Sequence, residues 1–169
     1  MNHKLTHGPI PASFVLGLVT LTPNELTAGY RAAFLDASGA VQVAERLLSD
    51  GGTVPDWIEE TALLLSDDYR RIDDLIPERA DQDPAAADPL QVWLFLVLAD
   101  LWNNRDAVVD PLAEVESVYA DFDYPEEMQG FVRFLPVPEG TDVGTAAIEA
   151  RWRSYLDRRA EYYAGRSAS

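Results

Sequence analysis

The chain of 169 residues contains no cysteine, an absence that removes disulfides, thiolate zinc sites and cysteine nucleophiles together. Its histidines are His3 and His7, close to Gly8-Pro9, so neither a histidine-based triad nor a histidine zinc site is expected. Long apolar runs are missing as well. Phe14 to Leu21 is eight residues long and follows two prolines, too short to cross a bilayer and without a small-residue cleavage site behind it. It reads as buried structure in a cytoplasmic protein. No phosphate-binding loop, glycine-rich dinucleotide fingerprint, helical zinc-protease motif or nucleophile elbow occurs, which argues against nucleotide-dependent chemistry, and no cofactor is expected.

Positive charge is scarce. Lys4 and twelve arginines stand against 29 acidic residues, for a net charge of −16. Residues 145 to 169 hold Arg151, Arg153, Arg158, Arg159 and Arg166 against Glu149, Asp157 and Glu161, a local +2 that leaves −18 on residues 1 to 144. Such a field repels nucleic acid and anionic membranes and attracts basic partners. The acidity also has a bland explanation in solubility, or in a genomic or halophilic bias that replaces lysine with arginine. Apolar residues make up 47% and aromatics 10%, enough for a core; a chain of this length folded as one domain over 1–169 buries roughly 70% of its unfolded surface.

Prolines punctuate the chain at helix starts. Thr22-Pro23-Asn24-Glu25 combines a capping hydroxyl, a proline at the first helical position and a glutamate placed to return to the cap; Asp88-Pro89-Leu90-Gln91 repeats it. Thr53-Val54-Pro55-Asp56 and Asp110-Pro111 are weaker forms. From the first cap, Leu26, Tyr30, Ala33, Phe34 and Ala37 recur at helical spacing up to a stop at Ser38-Gly39. A second helix runs from Val41 to the Asp50-Gly51-Gly52 stop, a third carries Trp57, Ile58, Ala62, Leu64 and Leu65, and a shorter one ends before Pro77. Residues 77–89 hold three prolines and no large apolar side chain, the pattern of an exposed loop. Leu90 to Trp102 is apolar almost all round, with Asp100 its one charge, which predicts a central buried helix. A helix from Pro111 to Phe122 and a last one over Thr145–Ala164, with Ile148, Trp152, Tyr155 and Leu156 inward and arginines outward, complete an all-α reading of about seven helices.

The most particular stretch is Glu116 to Pro136, with five aromatics, five carboxylates and Arg133 in 21 residues. Asp121, Asp123, Glu126 and Glu127 are ligand types for calcium or magnesium and for acid and base roles, but they lack calcium-loop spacing and its fixed glycine. A local role competes: Asp123 caps a helix and Glu126 returns to its backbone. Tyr119, Phe122, Phe131 and Phe134 are assigned to the core. Phe131 to Leu135, between Gly130 and Pro136, is a strand or an extended piece covering that core. Tyr124, between an acid and a proline, is the aromatic expected at the surface, and Arg133 is expected to pair with a neighbouring acid.

The run Val118-Tyr119-Ala120-Asp121-Phe122-Asp123-Tyr124-Pro125-Glu126-Glu127-Met128, continued by Phe131-Val132-Arg133-Phe134-Leu135-Pro136, resembles a bacterial family, domain of unknown function 2247. Val19 to Leu26 and Trp152 to Leu156 are similar to it too. The resemblance implies a small bacterial protein and carries over no catalytic residue. By analogy with small acidic helical immunity proteins, the expectation is a non-enzymatic module that binds a basic protein, such as a toxin, through a surface of Asp121, Asp123, Tyr124, Glu126, Glu127 and Arg133. A carboxylate-based metal enzyme and a structural or oligomerising domain are the alternatives, and the oligomeric state stays open.

Overall fold

The computed structural model describes residues 8–81 and 85–167; His3, Lys4 and His7, and positions 82–84 of the expected loop, lie outside the described residues. The helices are α1 (Ala12–Leu18), α2 (Pro23–Arg31), α3 (Ala37–Ser49), α4 (Asp56–Ala62), α5 (Ile72–Leu75), α6 (Gln91–Asn103), α7 (Pro111–Asp121) and α8 (Thr145–Ser167). Short 3-10 turns occupy Ser66–Arg71, Arg105–Ala107 and Glu126–Phe131. The class is all-α, with no strand among the described residues. These fall into two compact units, residues 8–93 and residues 94–167, whose boundary lies within α6 between Trp93 and Leu94.

In the first unit, α2 starts as its sequence dictates. The Glu25 N–H donates to Thr22 Oγ1 at 3.2 Å and the Thr22 N–H to Glu25 Oε1 at 2.9 Å, with Pro23 at the first helical position. Its end differs from expectation. The helix closes at Arg31, and Ala33 turns left-handed at φ 65°, with Phe34 N–H donating to the Gly29 carbonyl (2.9 Å) and Ala33 N–H to that of Tyr30 (3.0 Å). This pair of bonds is a Schellman ending. Ser38-Gly39 is therefore no stop: both lie in the first turn of α3, where Asp36 accepts the Gly39 N–H at 2.7 Å.

The corner is locked by packing. Phe34, 1% exposed, stacks on Trp93 at 5.5 Å between ring centroids and 9° between planes, and the Trp93 indole N–H donates to the Glu25 carbonyl at 2.7 Å. A Cβ on Gly29 would lie 2.0 Å from that indole, so glycine is what lets the ring approach the backbone. Arg31 and Tyr30 tie the same corner to α5. The guanidinium donates to the carbonyls of Asp73, Ile76 and Pro77, meeting the carbonyls that a helix end leaves open, and the Tyr30 hydroxyl donates to Asp73 at 2.5 Å.

Two other boundaries move. α4 stops at Ala62, so Leu63 and Leu65 stand out, 68% and 72% exposed. Thr53 does not cap α4, whose N-cap is Pro55. Where described, residues 77–89 are exposed or half-buried, and Asp81 exchanges hydrogen bonds with Asn24. The N-terminal apolar run forms α1 and its exit, burying Val15, Val19 and Leu21 while Leu18 is 37% exposed.

In α6, Val92 to Leu98 are all buried, as an apolar circumference requires. In the second unit, Phe95 meets Tyr163 at 5.3 Å and Trp102 meets Trp152 edge-on at 4.9 Å. Ile148, Trp152, Tyr155 and Leu156 of α8 are buried, with Met128 and Phe131 of the 3-10 turn in the same core. Not every arginine of α8 faces water alone: Arg151 donates to the Gly130 carbonyl, and Arg159 pairs with Glu127 at 2.5 Å. No described helix is long and apolar enough to cross a membrane.

Candidate functional site

The site is organised by α7. Asp110 caps it, accepting the Ala113 N–H at 3.2 Å, and Pro111 opens it. Leu112, Val115 and Val118 recur every third position and are buried. Glu116 and Tyr119, also three apart, are neighbours on another face.

The end of α7 overturns the expected cap. Asp123 does not cap the following turn, whose N-cap is Pro125 with no side-chain hydrogen bond. Instead the Tyr124 N–H donates to the Tyr119 carbonyl (2.8 Å) and the Asp123 N–H to that of Ala120 (3.1 Å), again a Schellman ending. Asp123 and Tyr124 are both left-handed, at φ 60° and 57°. Aspartate tolerates that region, whereas a bulky tyrosine there is an outlier that costs about 1–2 kcal/mol. The backbone turns Tyr124 outward, 61% exposed, its ring edge-on to Tyr119 at 5.2 Å.

A second turn stands over the same face. The Arg133 Nε donates to Glu116 at 2.9 Å and its Nη2 to Asp110 at 3.1 Å, so this arginine is paired as expected. The segment around it forms no strand; Phe131 and the extended Val132 are buried in the core, and beyond them the chain turns outward. In that turn Phe134 is left-handed at φ 67° and 88% exposed, with Arg133 over its ring at 5.4 Å. The core role expected for Phe134 fails because that backbone directs the ring to water. Phe131 alone of the two lies in the core, and Phe122 and Tyr119 are half-buried. Val109, beside Asp110, is also fully exposed.

The four carboxylates do not converge. Asp123 and Glu126 are exposed, Asp121 is half-buried at the last residue of α7, and Glu127 turns to Arg159. Among the described residues no three histidine, aspartate or glutamate side chains form a cation site. What the structure assembles is a surface: Asp110, Glu116 and Arg133 in an ion-pair chain, flanked by exposed Tyr124 and Phe134. Sequence reading missed Asp110 and Phe134 as parts of it, and no spacing signal marks either.

The chain matches the family described as an uncharacterized protein conserved in bacteria, domain of unknown function 2247, over residues 12–160. It belongs to that family. No curated protein and no solved structure matches it. The family's description assigns no chemistry to any position, so the reading of this member rests on its geometry.

Electrostatics tie these charged groups to one another. The Ala113 N–H, and after it Arg133, holds the Asp110 carboxyl below its usual range, while the hydrogen bond to Glu116 holds the Arg133 guanidinium above its own. Burial, then the Glu127 charge, pushes the Tyr155 phenol well above its ordinary value. Residues 105 to 134 carry eight carboxylates against Arg105 and Arg133. That excess is spread along the segment and gives it a broad negative field.

Proposed function

We propose that this family member is a protein-binding module whose α7 surface engages a basic partner, in the manner of an immunity protein that covers the site of a toxin. One observation carries the reading: exposed Tyr124 and Phe134 are both held in left-handed backbone, on turns braced against one face of a strongly acidic helix. Strain of this kind persists where the surrounding structure imposes it, and it clusters at functional sites. Exposed aromatics anchor interfaces and acidic surroundings accelerate encounter with a cation. Neither aromatic contributes a buried core contact that would explain its place.

The test is capture of partners from the native cell at low salt, followed by titration of the identified protein in purified form. A basic partner is expected, with affinity that falls as salt rises and drops about tenfold or more in Tyr124→Ala or Phe134→Ala, as for an interface anchor. A purified partner whose affinity is indifferent to salt and to both substitutions would refute the proposal.

A further inference from the structure

A cavity of about 290 Å³ opens against the C-terminal half of α8, lined by Glu127, Tyr155, Arg158, Arg159 and Tyr162. That size suits an ion or a small group rather than a large organic ligand. Its lining runs against the charge of the chain, since two arginines and one glutamate leave it positive within a protein of net −16.

Donors outnumber acceptors here, with Glu127 the one carboxylate in the lining. Arg158 is exposed and has no ion pair among the described residues. Arg159 uses its Nη2 on Glu127, which leaves the rest of its five-donor fork available. Tyr155 is 2% exposed, and its hydroxyl lacks a hydrogen-bond partner of full geometry, although Glu127 and Arg159 both act on it. A buried hydroxyl left unsatisfied is costly, and an oxyanion in this cavity would accept from it and from the guanidinium donors together.

We propose that this cavity is a binding site for a small oxyanion, a phosphate or a carboxylate group, held by Arg158 and the free edge of Arg159, with the Tyr155 hydroxyl as the inner donor. Guanidinium forks match the paired oxygens of such groups. Glu127 orients Arg159 instead of neutralising the site, because Arg158 supplies the remaining charge. The hydroxyl is closed to water, so it reaches the anion only if a neighbouring side chain shifts, and the half-exposed Tyr162 ring borders the same cavity. The site uses neither Tyr124 nor Phe134 and does not depend on the reading proposed for the α7 surface.

The experiment is titration of the full chain with sodium phosphate and, separately, sodium acetate, followed by calorimetry and by NMR of the arginine side chains. Sodium chloride at matched ionic strength is the reference, because screening alone stabilises so acidic a protein. Saturable binding beyond the chloride response is expected for at least one of the two, and the tighter one tells a phosphate source from a carboxylate source. Arg158→Gln, at an exposed position, is expected to weaken it at least fivefold. Tyr155→Phe is expected to weaken it too, while leaving the anion-free melting temperature unchanged or higher, since it removes an unpartnered hydroxyl. A response identical to chloride up to 50 mM, or binding unaltered in Arg158→Gln, would overturn the proposal.

Discussion

Two helix ends in this protein share one backbone device and use it in opposite ways. α2 and α7 both finish in a Schellman turn with a residue other than glycine in the left-handed position, Ala33 in one and Asp123 in the other. After Ala33 comes Phe34, 1% exposed and stacked on Trp93; after Asp123 comes Tyr124, 61% exposed. The residues at the matching carbonyls differ in the same sense. Gly29 admits an indole against the backbone, whereas Tyr119 supplies only a ring for Tyr124 to stand on. The first corner strains the chain to complete a core, and the second strains it to hold an aromatic in water.

The hardest test of that contrast is truncation of the two aromatics. Phe34→Ala is expected to cost about 3–5 kcal/mol, the usual loss for a buried phenylalanine. Tyr124→Ala is expected to cost about 1 kcal/mol or less, mainly the edge-on contact with Tyr119. Urea denaturation of the two variants beside the parent measures both. Equal losses would show that Tyr124 is a structural residue and would remove the argument for the α7 surface.

A smaller effect comes from the left-handed positions themselves. Ala33→Gly relieves a Cβ that the left-handed region disfavours by about 1–2 kcal/mol, offset in part by the greater freedom of glycine when unfolded. A net gain of up to about 1 kcal/mol is expected there. Asp123→Gly is expected to gain only a few tenths, because aspartate enters that region more readily. Melting temperatures decide it, at about 2–4 °C per kcal/mol for a chain of this size. A larger gain at Asp123 than at Ala33 would reverse the assignment of strain.

Much of the fold is legible in the residues because it follows from local rules. The capping box of Thr22 and Glu25, the Asp50-Gly51 stop, the apolar circumference of α6 and the capped start of α7 depend on side chains within a few positions of the backbone they serve. The family, too, was readable from the Val118 to Pro136 run. The errors share one cause. No glycine stands at positions 33 and 123 to announce a left-handed turn, so the residue pattern carries α2 past its end and makes Asp123 look like a cap. Phe134 has the composition of core, and only its φ of 67° sends it outward. The ion pairs of Glu127 with Arg159 and of Arg133 with Asp110 span 32 and 23 residues, distances at which no periodicity speaks.

The finest distinction between the two corners lies three residues before the left-handed position, where α2 has Tyr30 and α7 has Ala120. Tyr30 donates to Asp73 and so ties its corner to α5, while alanine has no side-chain donor with which to do the same. Burial first, then the bond to Asp73, raises the Tyr30 phenol to about 12. A phenol whose pKa is higher folded than unfolded keeps its proton in the native state after the unfolded chain, at its ordinary value near 10, has lost it. The native state then binds more protons, so stability falls as pH rises. Its contribution is complete below pH 10 and is lost as pH passes through about 12. Urea midpoints across that window are therefore expected to decline more steeply in the parent than in Tyr30→Phe, so that the gap between them, present at pH 9, closes toward pH 12. A gap that stays constant would mean that the Tyr30 proton does not hold the first corner, leaving the stacked Phe34 and Trp93 as what distinguishes it from the second.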